Sequence, residues 1–463
     1  MTSLAALTNP GLAINGGSPV RTRPWLDNFT TGEEEKQAAL AVLDSGYLSL
    51  FEGSHTPDAP FSFWGGPQVQ RLEAEWAAYY DARFAVSMNS ATSGLVAAIG
   101  ALGLGYGDEV IVSPYTMSAC AVCALVYGAI PIFADVRPGT GSLDPASISE
   151  HVTSRTRAIV VVHQFGIPAD MDRILAIARK HDLKVIEDCA QAHGARYRGR
   201  PVGTMGDIGV FSLNVNKTIQ TGEGAVCLTS DENLRYRLAL IRNHGEAVVG
   251  PAGYANLTNI VGFNFRMTEM AAAIASEQLK KIARLNEIRI GYVHALTQVV
   301  GRHAFLVAPP ACSHTAEGES CSTCTSTYYV YPLRFLGPKA DLTRSDFVRA
   351  LAAEGIPLGA GYVRPLYFQP IYQQKQAFKH GYPFSASENR AIETNYHPGA
   401  CPTAERLHFE EMLISEHVRP PHSLDDIMDI ARAIDKIARA ASSPQTFAAT
   451  AVSGAGSTSG QES

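Results

Sequence analysis

Seven short apolar runs, separated by stretches whose apolar residues recur at helical spacing, constrain this chain more than any other feature. The runs are Phe84–Met88, Val110–Ser113, Pro131–Ala134, Ala158–Val162, Lys184–Glu187, Ile208–Leu213 and Ala225–Thr229. Between them, Ser93–Leu104, Met171–His181 and Glu232–Arg242 carry the helical pattern. Short, near-continuous apolar runs alternating with helices are what a parallel sheet covered on both faces requires. The expectation is an α/β fold whose large domain, over residues 58–279, holds a mostly parallel seven-stranded sheet flanked by helices.

After Met267, the run TEMAAAIASEQLKKIARLNEIRIGYVHAL reads as one long helix leading out of that domain. Residues 280–441 mix helices with strands such as Thr327–Phe335, which predicts a smaller C-terminal α+β domain. Residues 442–463 are rich in Ser, Gly, Ala and Thr and nearly lack bulky apolar side chains, so a disordered tail is expected.

With 463 residues, 46% apolar and 18% charged, the chain has globular composition and enough length for a large core. A net charge of −6 offers no basic footprint for nucleic acid or an anionic membrane, so neither partner is expected. No apolar run approaches the roughly 20 residues that span a bilayer, and the N-terminus lacks the basic flank of a secretory signal. The expected compartment is the cytoplasm. Of eight cysteines, Cys120, Cys123, Cys189 and Cys227 lie in apolar sequence and read as small buried hydrophobes with reduced thiols. Cys312, His314, Cys321 and Cys324 lie in ACSHTAEGESCSTC, where the last pair has zinc-ligand spacing. A zinc site usually has a second paired knuckle and C-x-H is an unusual one, so a polar loop with incidental thiols is expected.

The chemistry concentrates in Val185–Val226. Asp188 ends an apolar strand, and Lys217 follows a second strand amid a polar NVN and a glycine-rich TGEGA. A carboxylate and an amine held this way are what a pyridoxal phosphate enzyme needs: the amine condenses with the cofactor aldehyde, and the carboxylate keeps the ring nitrogen protonated. On this segment alone, a structural strand-end acid and a solvated loop lysine stand as alternatives. Upstream, ARFAVSM leads into Asn89-Ser90-Ala91-Thr92-Ser93-Gly94 and a helix, so free N–H groups at a helix N-terminus could hold a phosphate dianion. Simple capping by Asn, Ser and Thr is the alternative. Gly103, Gly105 and Gly107 come after a helix and before a strand, the wrong place for a nucleotide loop, and read as a helix end and turn.

These residues belong to a longer series, NSATSGL, GDEVIVSPYT, GAIPIFADV, HQFGIPADMD, EDCAQAHGA, GDIGVFSLNVNK, TGEGA, RNHG and GFNFRMTE. In that order and spacing, over roughly residues 12–440, the chain resembles the DegT/DnrJ/EryC1/StrS family of pyridoxal phosphate-dependent aminotransferases, which have the fold-type I architecture and act mainly on keto-sugars and keto-cyclitols. The resemblance implies pyridoxal 5'-phosphate as cofactor and Lys217 as the amine that binds it. It makes Asp188 the partner of the ring nitrogen and puts Gln191 beside the ring and its phenolic oxygen. The backbone at Ala91 and Thr92 and the Ser212 hydroxyl would hold the phosphate. Asn264 resembles the residue that reaches the phosphate from the neighbouring subunit, which implies a homodimer with shared active sites. The first 57 residues would then pack on the small domain or on that partner. Met117 falls where many members stack an aromatic on the cofactor, a role a thioether can partly fill. Ala225 replaces the family's usual glycine.

The opening LAINGGSPVRTRPW resembles members that aminate scyllo-inosose or 2-deoxy-scyllo-inosose with glutamine during aminocyclitol antibiotic assembly. The expected activity is ping-pong transfer of an amino group from glutamine or glutamate to a keto-sugar or keto-cyclitol, with Lys217 also serving as general base. Arg242, His244, Tyr331, Arg334, Tyr362 and Arg364 are polar candidates for the donor carboxylate or acceptor hydroxyls, each with a structural salt bridge or surface position as the alternative. Dehydrating relatives carry histidine at the position of Lys217, so lysine argues for transamination. A non-catalytic regulatory protein of the same fold is the other rival, and the full set Asp188, Gln191, Ser212 and Lys217 argues against it.

Overall fold

Every one of the seven apolar runs becomes a strand of one sheet, because each is buried on both faces and can satisfy its backbone only through neighbouring strands. A computed structural model describes residues 7–54, 59–314, 321–339 and 342–442. Its strands in chain order are β1 (Phe84–Met88), β2 (Glu109–Val112), β3 (Ile130–Phe133), β4 (Thr156–Val162), β5 (Lys184–Asp188), the short ribbon β6 (Arg196–Tyr197) and β7 (Arg200–Pro201), β8 (Ile208–Ser212) and β9 (Ala225–Thr229). The large sheet runs β1-β9-β8-β5-β4-β2-β3. Only β9 is antiparallel to its neighbours, since it returns from β8 through a hairpin loop instead of a crossover helix. The remaining pairs, from β8 to β3, are parallel.

This topology brings the carboxyl ends of the parallel strands to one edge. Register aligns Met88 with Ala225, Ala225 with Ser212, and Val162 with Asp188. The helix Ala91–Ala101 leaves β1 at that edge and lies tightly on the sheet: a Cβ on Gly94 would come within 2.9 Å of Val210 and 3.0 Å of Cys227. Each fully buried Val, Leu or Ile in such a layer contributes about 1.5–3 kcal/mol.

A second, wholly antiparallel sheet follows: β10 (Leu306–Val307), β11 (Tyr331–Phe335), β12 (Gly359–Ala360) and β13 (Met412–Ser415), in the order β10-β11-β13-β12. The last helix, Leu424–Ser442, buries Ile427, Ile430, Ile434 and Ile437 in the same apolar cluster as Leu333, Phe335 and Leu413. Ser442 ends that helix, and the rest of the tail expected over 442–463 lies outside the described residues.

Two expectations need correction. The long helix after Met267 is two helices, Glu269–Leu279 and Ile282–Val300. The N-terminal segment docks at the break: Gln278 bonds the Thr30 carbonyl and Glu35, and Lys281 pairs with Glu35 at 2.7 Å. There the Lys281 N–H reaches back only three residues, to the Gln278 carbonyl, tightening the last turn. The strand expected over Thr327–Phe335 also divides. Tyr328 takes φ 47°, and the N–H groups of Thr327 and Tyr329 bond to the carbonyls of Gly166 and Phe165, leaving only Tyr331–Phe335 for the second sheet. Gly166, at φ 83°, allows this approach, since its Cβ would stand 2.7 Å from the Tyr328 nitrogen.

The N-terminal segment meets both sheets' surroundings. Arg21 pairs with Asp426 and Asp429, Ala13 and Val20 donate to Glu354, and Asn28 bonds the carbonyls of Val215 and Lys217. Among the described residues, no helix is long and apolar enough to cross a membrane.

Candidate active site

Asp188 and Lys217 come from adjacent parallel strands, β5 and β8, at their shared carboxyl edge. The Asp188 carboxylate is buried and takes two donors, the Ala190 N–H at 2.9 Å and the Cys120 thiol at 2.9 Å. Burial, and after it the Asp188 charge, pushes the Cys120 thiol well up, so it stays protonated and keeps donating. Lys217 sits in the β8–β9 hairpin loop, with its N–H on the Asn214 carbonyl and its own carbonyl held by Asn28. Its ammonium lies 4.6 Å from the centre of the Tyr329 ring and has no ion pair among the described residues. Burial pushes its pKa down from the ordinary lysine value, while the charge of Asp188 opposes that shift.

The strand end beneath Asp188 is fixed by a buried network. The Glu187 carboxylate accepts from His163 Nε2 at 2.9 Å and from the N–H groups of Gly203, Met205 and Gly206. Burial alone would raise its pKa, but these donors together hold it lowered. His163 Nδ1 accepts from the Ala169 N–H, so its proton is on Nε2. His193, in the same EDCAQAHGA motif, is fully buried, and burial reinforced by the Lys217 charge pushes its pKa down to about 3, which keeps it neutral.

Gln191 is oriented at both ends of its amide: Oε1 accepts from the Phe165 N–H at 2.8 Å, and Nε2 donates to the Tyr362 hydroxyl at 3.1 Å. Ser212 ends β8, and its hydroxyl accepts from the Asn214 N–H at 3.3 Å. Ser90 caps the helix Ala91–Ala101 by accepting from the Ser93 N–H, so the N–H groups of Ala91 and Thr92 are left without an intrahelical partner. A buried carboxylate, a half-buried amine with no ion pair among the described residues and open N–H groups at a helix end are the charge pattern that a ring nitrogen, an aldehyde and a phosphate complement. The residues present therefore fit pyridoxal phosphate.

Other candidates fall elsewhere. Met117 is 54% exposed, two residues ahead of the helix Ala119–Val126. Asn264 is bridged to Asn243 and lies beside its own chain's Asn89, whose side chain donates to its carbonyl; Arg266 holds its Oδ1. Arg242 is fully buried against Glu73 at 2.6 Å, Tyr331 lies inside the second sheet on Thr297, and Arg334 pairs with Glu411. These three hold the fold together. Arg364 stacks over Phe368 and His244 opens a short helix, whereas Tyr362 reaches Gln191. Tyr329, Cys120 and Asn28 were not singled out as site residues. Tyr329 stood inside a predicted strand and Cys120 read as a small hydrophobe, so only their partners in space reveal them. Cys312, His314, Cys321 and Cys324, expected as incidental loop thiols and a loop histidine, instead bring their donor atoms within 4.8 Å of one another.

Comparison with known proteins identifies the family. Residues 60–414 match the model of the DegT/DnrJ/EryC1/StrS aminotransferase family. The chain is 32% identical over 442 residues to the L-glutamine:2-deoxy-scyllo-inosose aminotransferase of Streptoalloteichus tenebrarius, covering 92% of this chain and 97% of the relative. It is 31% identical over 419 residues to the spore coat polysaccharide biosynthesis protein SpsC of Bacillus subtilis, covering 89% and 96%. Among solved structures, an aminotransferase from Psychrobacter cryohalolentis superposes with a TM-score of 0.73 at 31% identity, covering 90% of this chain and 98% of that one. S. venezuelae DesV gives 0.69 at 28% identity, covering 88% and 94%. By the family match across most of its length, and by the fold and motifs that carry that match, the chain belongs to the DegT/DnrJ/EryC1/StrS aminotransferase family.

Proposed function

We propose that this chain is a homodimeric, pyridoxal phosphate-dependent aminotransferase that moves the amino group of glutamine or glutamate onto a keto-cyclitol of the scyllo-inosose kind or a closely related keto-sugar, in aminocyclitol or other secondary-metabolite assembly. The observation that carries the reading is that the Lys217 amine, in the loop that follows β8, lies within the electrostatic reach of the buried Asp188 carboxylate at the end of the adjacent strand β5. The acceptor class rests on relatives named L-glutamine:2-deoxy-scyllo-inosose aminotransferase at 32–33% identity over most of the chain.

Bound pyridoxal phosphate would supply an aldehyde that condenses with amines and a protonated ring that withdraws electrons from the carbon beside them. The chain's own residues prepare for this. Burial lowers the proton affinity of Lys217 Nζ, so the neutral, nucleophilic amine forms at lower pH than in a free lysine. The same nitrogen, once displaced by a donor, is placed to take the proton from the donor's α-carbon. Asp188, steadied by Cys120 and Ala190, keeps lone pairs for a ring N–H. The free N–H groups of Ala91 and Thr92 and the Ser212 hydroxyl would bind phosphate, with Asn264 of each chain completing the partner's site. Gln191, locked between Phe165 and Tyr362, would set the ring's tilt. Exposed Met117, Val215, Leu257 and Val261 supply apolar surface for a second copy to cover.

The test is an assay of purified holoenzyme with glutamine and glutamate against scyllo-inosose, 2-deoxy-scyllo-inosose and nucleotide-linked keto-sugars. Amination of a cyclitol supports the reading. Turnover confined to nucleotide-linked sugars would overturn the acceptor assignment.

A further inference from the structure

Among the described residues, two groups gather three or more metal-ligating side chains. One is already satisfied: the Glu187 carboxylate accepts four hydrogen bonds, one of them from His163, and Cys189 donates to the Glu187 carbonyl. The other is not explained by the transaminase site. We propose that Cys312, His314, Cys321 and Cys324 form a structural zinc site that staples their loop to the β6–β7 ribbon.

The geometry carries the assignment. The four donor atoms lie within 4.8 Å of one another. His314 Nε2 stands 4.0 Å from the Cys312 sulfur and 3.8 Å from that of Cys321, while Nδ1 of the same ring stands 3.7 Å from that of Cys324. Zn–S bonds of about 2.3 Å and Zn–N bonds of about 2.0–2.1 Å at tetrahedral angles place neighbouring ligand atoms roughly 3.5–3.8 Å apart. With one donor atom from each residue within 4.8 Å of the other three, a small turn of the His314 ring and small side-chain shifts bring the four to these distances about one ion. The donor set points the same way: three thiols and one imidazole are a soft S/N set that suits zinc, while calcium, magnesium and manganese favour oxygen. No disulfide joins these cysteines.

The surroundings match a metal-bound thiolate cluster. The Arg198 N–H donates to the Cys324 sulfur at 3.3 Å, and the Thr323 hydroxyl lies 3.4 Å from that of Cys321, the outer hydrogen bonds that orient such ligands. The Tyr197 ring packs edge-on against His314 at 5.3 Å. Around the cluster, Thr325 exchanges backbone hydrogen bonds with Arg196, the Gly199 N–H bonds the Thr323 carbonyl, and the Ser313 hydroxyl bonds the Pro168 carbonyl. All four tetrahedral positions are taken by the protein, so the ion has no open site for substrate and its role is structural. It would anchor the stretch that continues through Thr325 and Thr327 to Tyr329, the residue under the Lys217 amine.

The experiment measures metal in full-length protein made in zinc-supplemented medium and purified without chelators. Elemental analysis should find about one zinc per chain, released by a mercurial as the thiols react. Cobalt exchanged into the site should give the intense visible bands and sulfur-to-metal charge transfer of tetrahedral thiolate coordination. Cys321→Ser and Cys324→Ser should each lose the zinc and lower Tm, while Ser322→Ala keeps both. Background zinc in the wild-type protein, a Cys321–Cys324 disulfide found by mass spectrometry, or serine variants that retain full zinc would each overturn the proposal. Should the serine variants fail to fold, the wild-type zinc content and the cobalt spectrum still decide it.

Discussion

Lys217 is costly to the fold as a cation, and that cost is what makes it reactive. Its folded pKa is lowered by burial, so the penalty is fully present below that pKa and disappears as pH rises toward the unfolded lysine value. In cofactor-free protein, Lys217→Met should therefore be more stable than wild type, with the gap shrinking as pH rises; a gap that widens with pH would contradict the burial argument. Asp188→Asn keeps the shape but loses the charge that holds a ring N–H, and should lower kcat by orders of magnitude with Tm nearly unchanged. Near-normal turnover in that variant would remove Asp188 from the chemistry. Asp188 at a strand end and Lys217 amid polar and glycine-rich sequence are visible as candidates in the sequence, and the series of motifs around them is what raises them above a structural acid and a loop lysine. Tyr329, Cys120 and Asn28 were not legible, because their roles exist only through partners 68 to 189 residues away in the chain.

At the scale of elements, the apolar runs that predicted strands were right to within a residue or two, since burial on both faces leaves little freedom in where a strand begins. What periodicity could not reveal was where tertiary partners interrupt a run, as at Lys280–Lys281 and at Tyr328. Arg242 shows the same limit, because a buried ion pair and a substrate contact look alike in sequence. It reaches from the helix Glu232–Arg242 to Glu73 in the helix Pro67–Tyr80 and to Ser87 in β1. Arg242→Met strands the Glu73 charge in the core and should cost about 3–5 kcal/mol of stability by denaturant titration. Unchanged stability with a raised KM for the amino donor would instead make Arg242 a substrate contact.

For the whole molecule, the N-terminal segment ties the Lys217 loop to the last helix through Asn28 and Arg21, a link that the opening LAINGGSPVRTRPW does not reveal by itself. Deleting residues 443–463 should leave kcat/KM and Tm unchanged, because the last helix already buries its apolar stripe by Ile437. A large loss would give the tail a function. Assembly is testable by complementation. If Asn264 serves the partner's site, mixing Lys217→Ala and Asn264→Ala chains under subunit exchange rebuilds one intact site per mixed dimer, and activity rises above either parent. Exchange without recovery would mean that Asn264, which lies beside Asn89 of its own chain, acts in its own subunit.

The central claim is that Lys217 is the amine of a transaminase. Holoenzyme reduced with borohydride and mapped by mass spectrometry tests it most directly: the pyridoxyl mass should appear on Lys217 alone, and incubation with glutamine before reduction should remove it. Label on another lysine, or label on Lys217 that glutamine leaves untouched, would contradict the account.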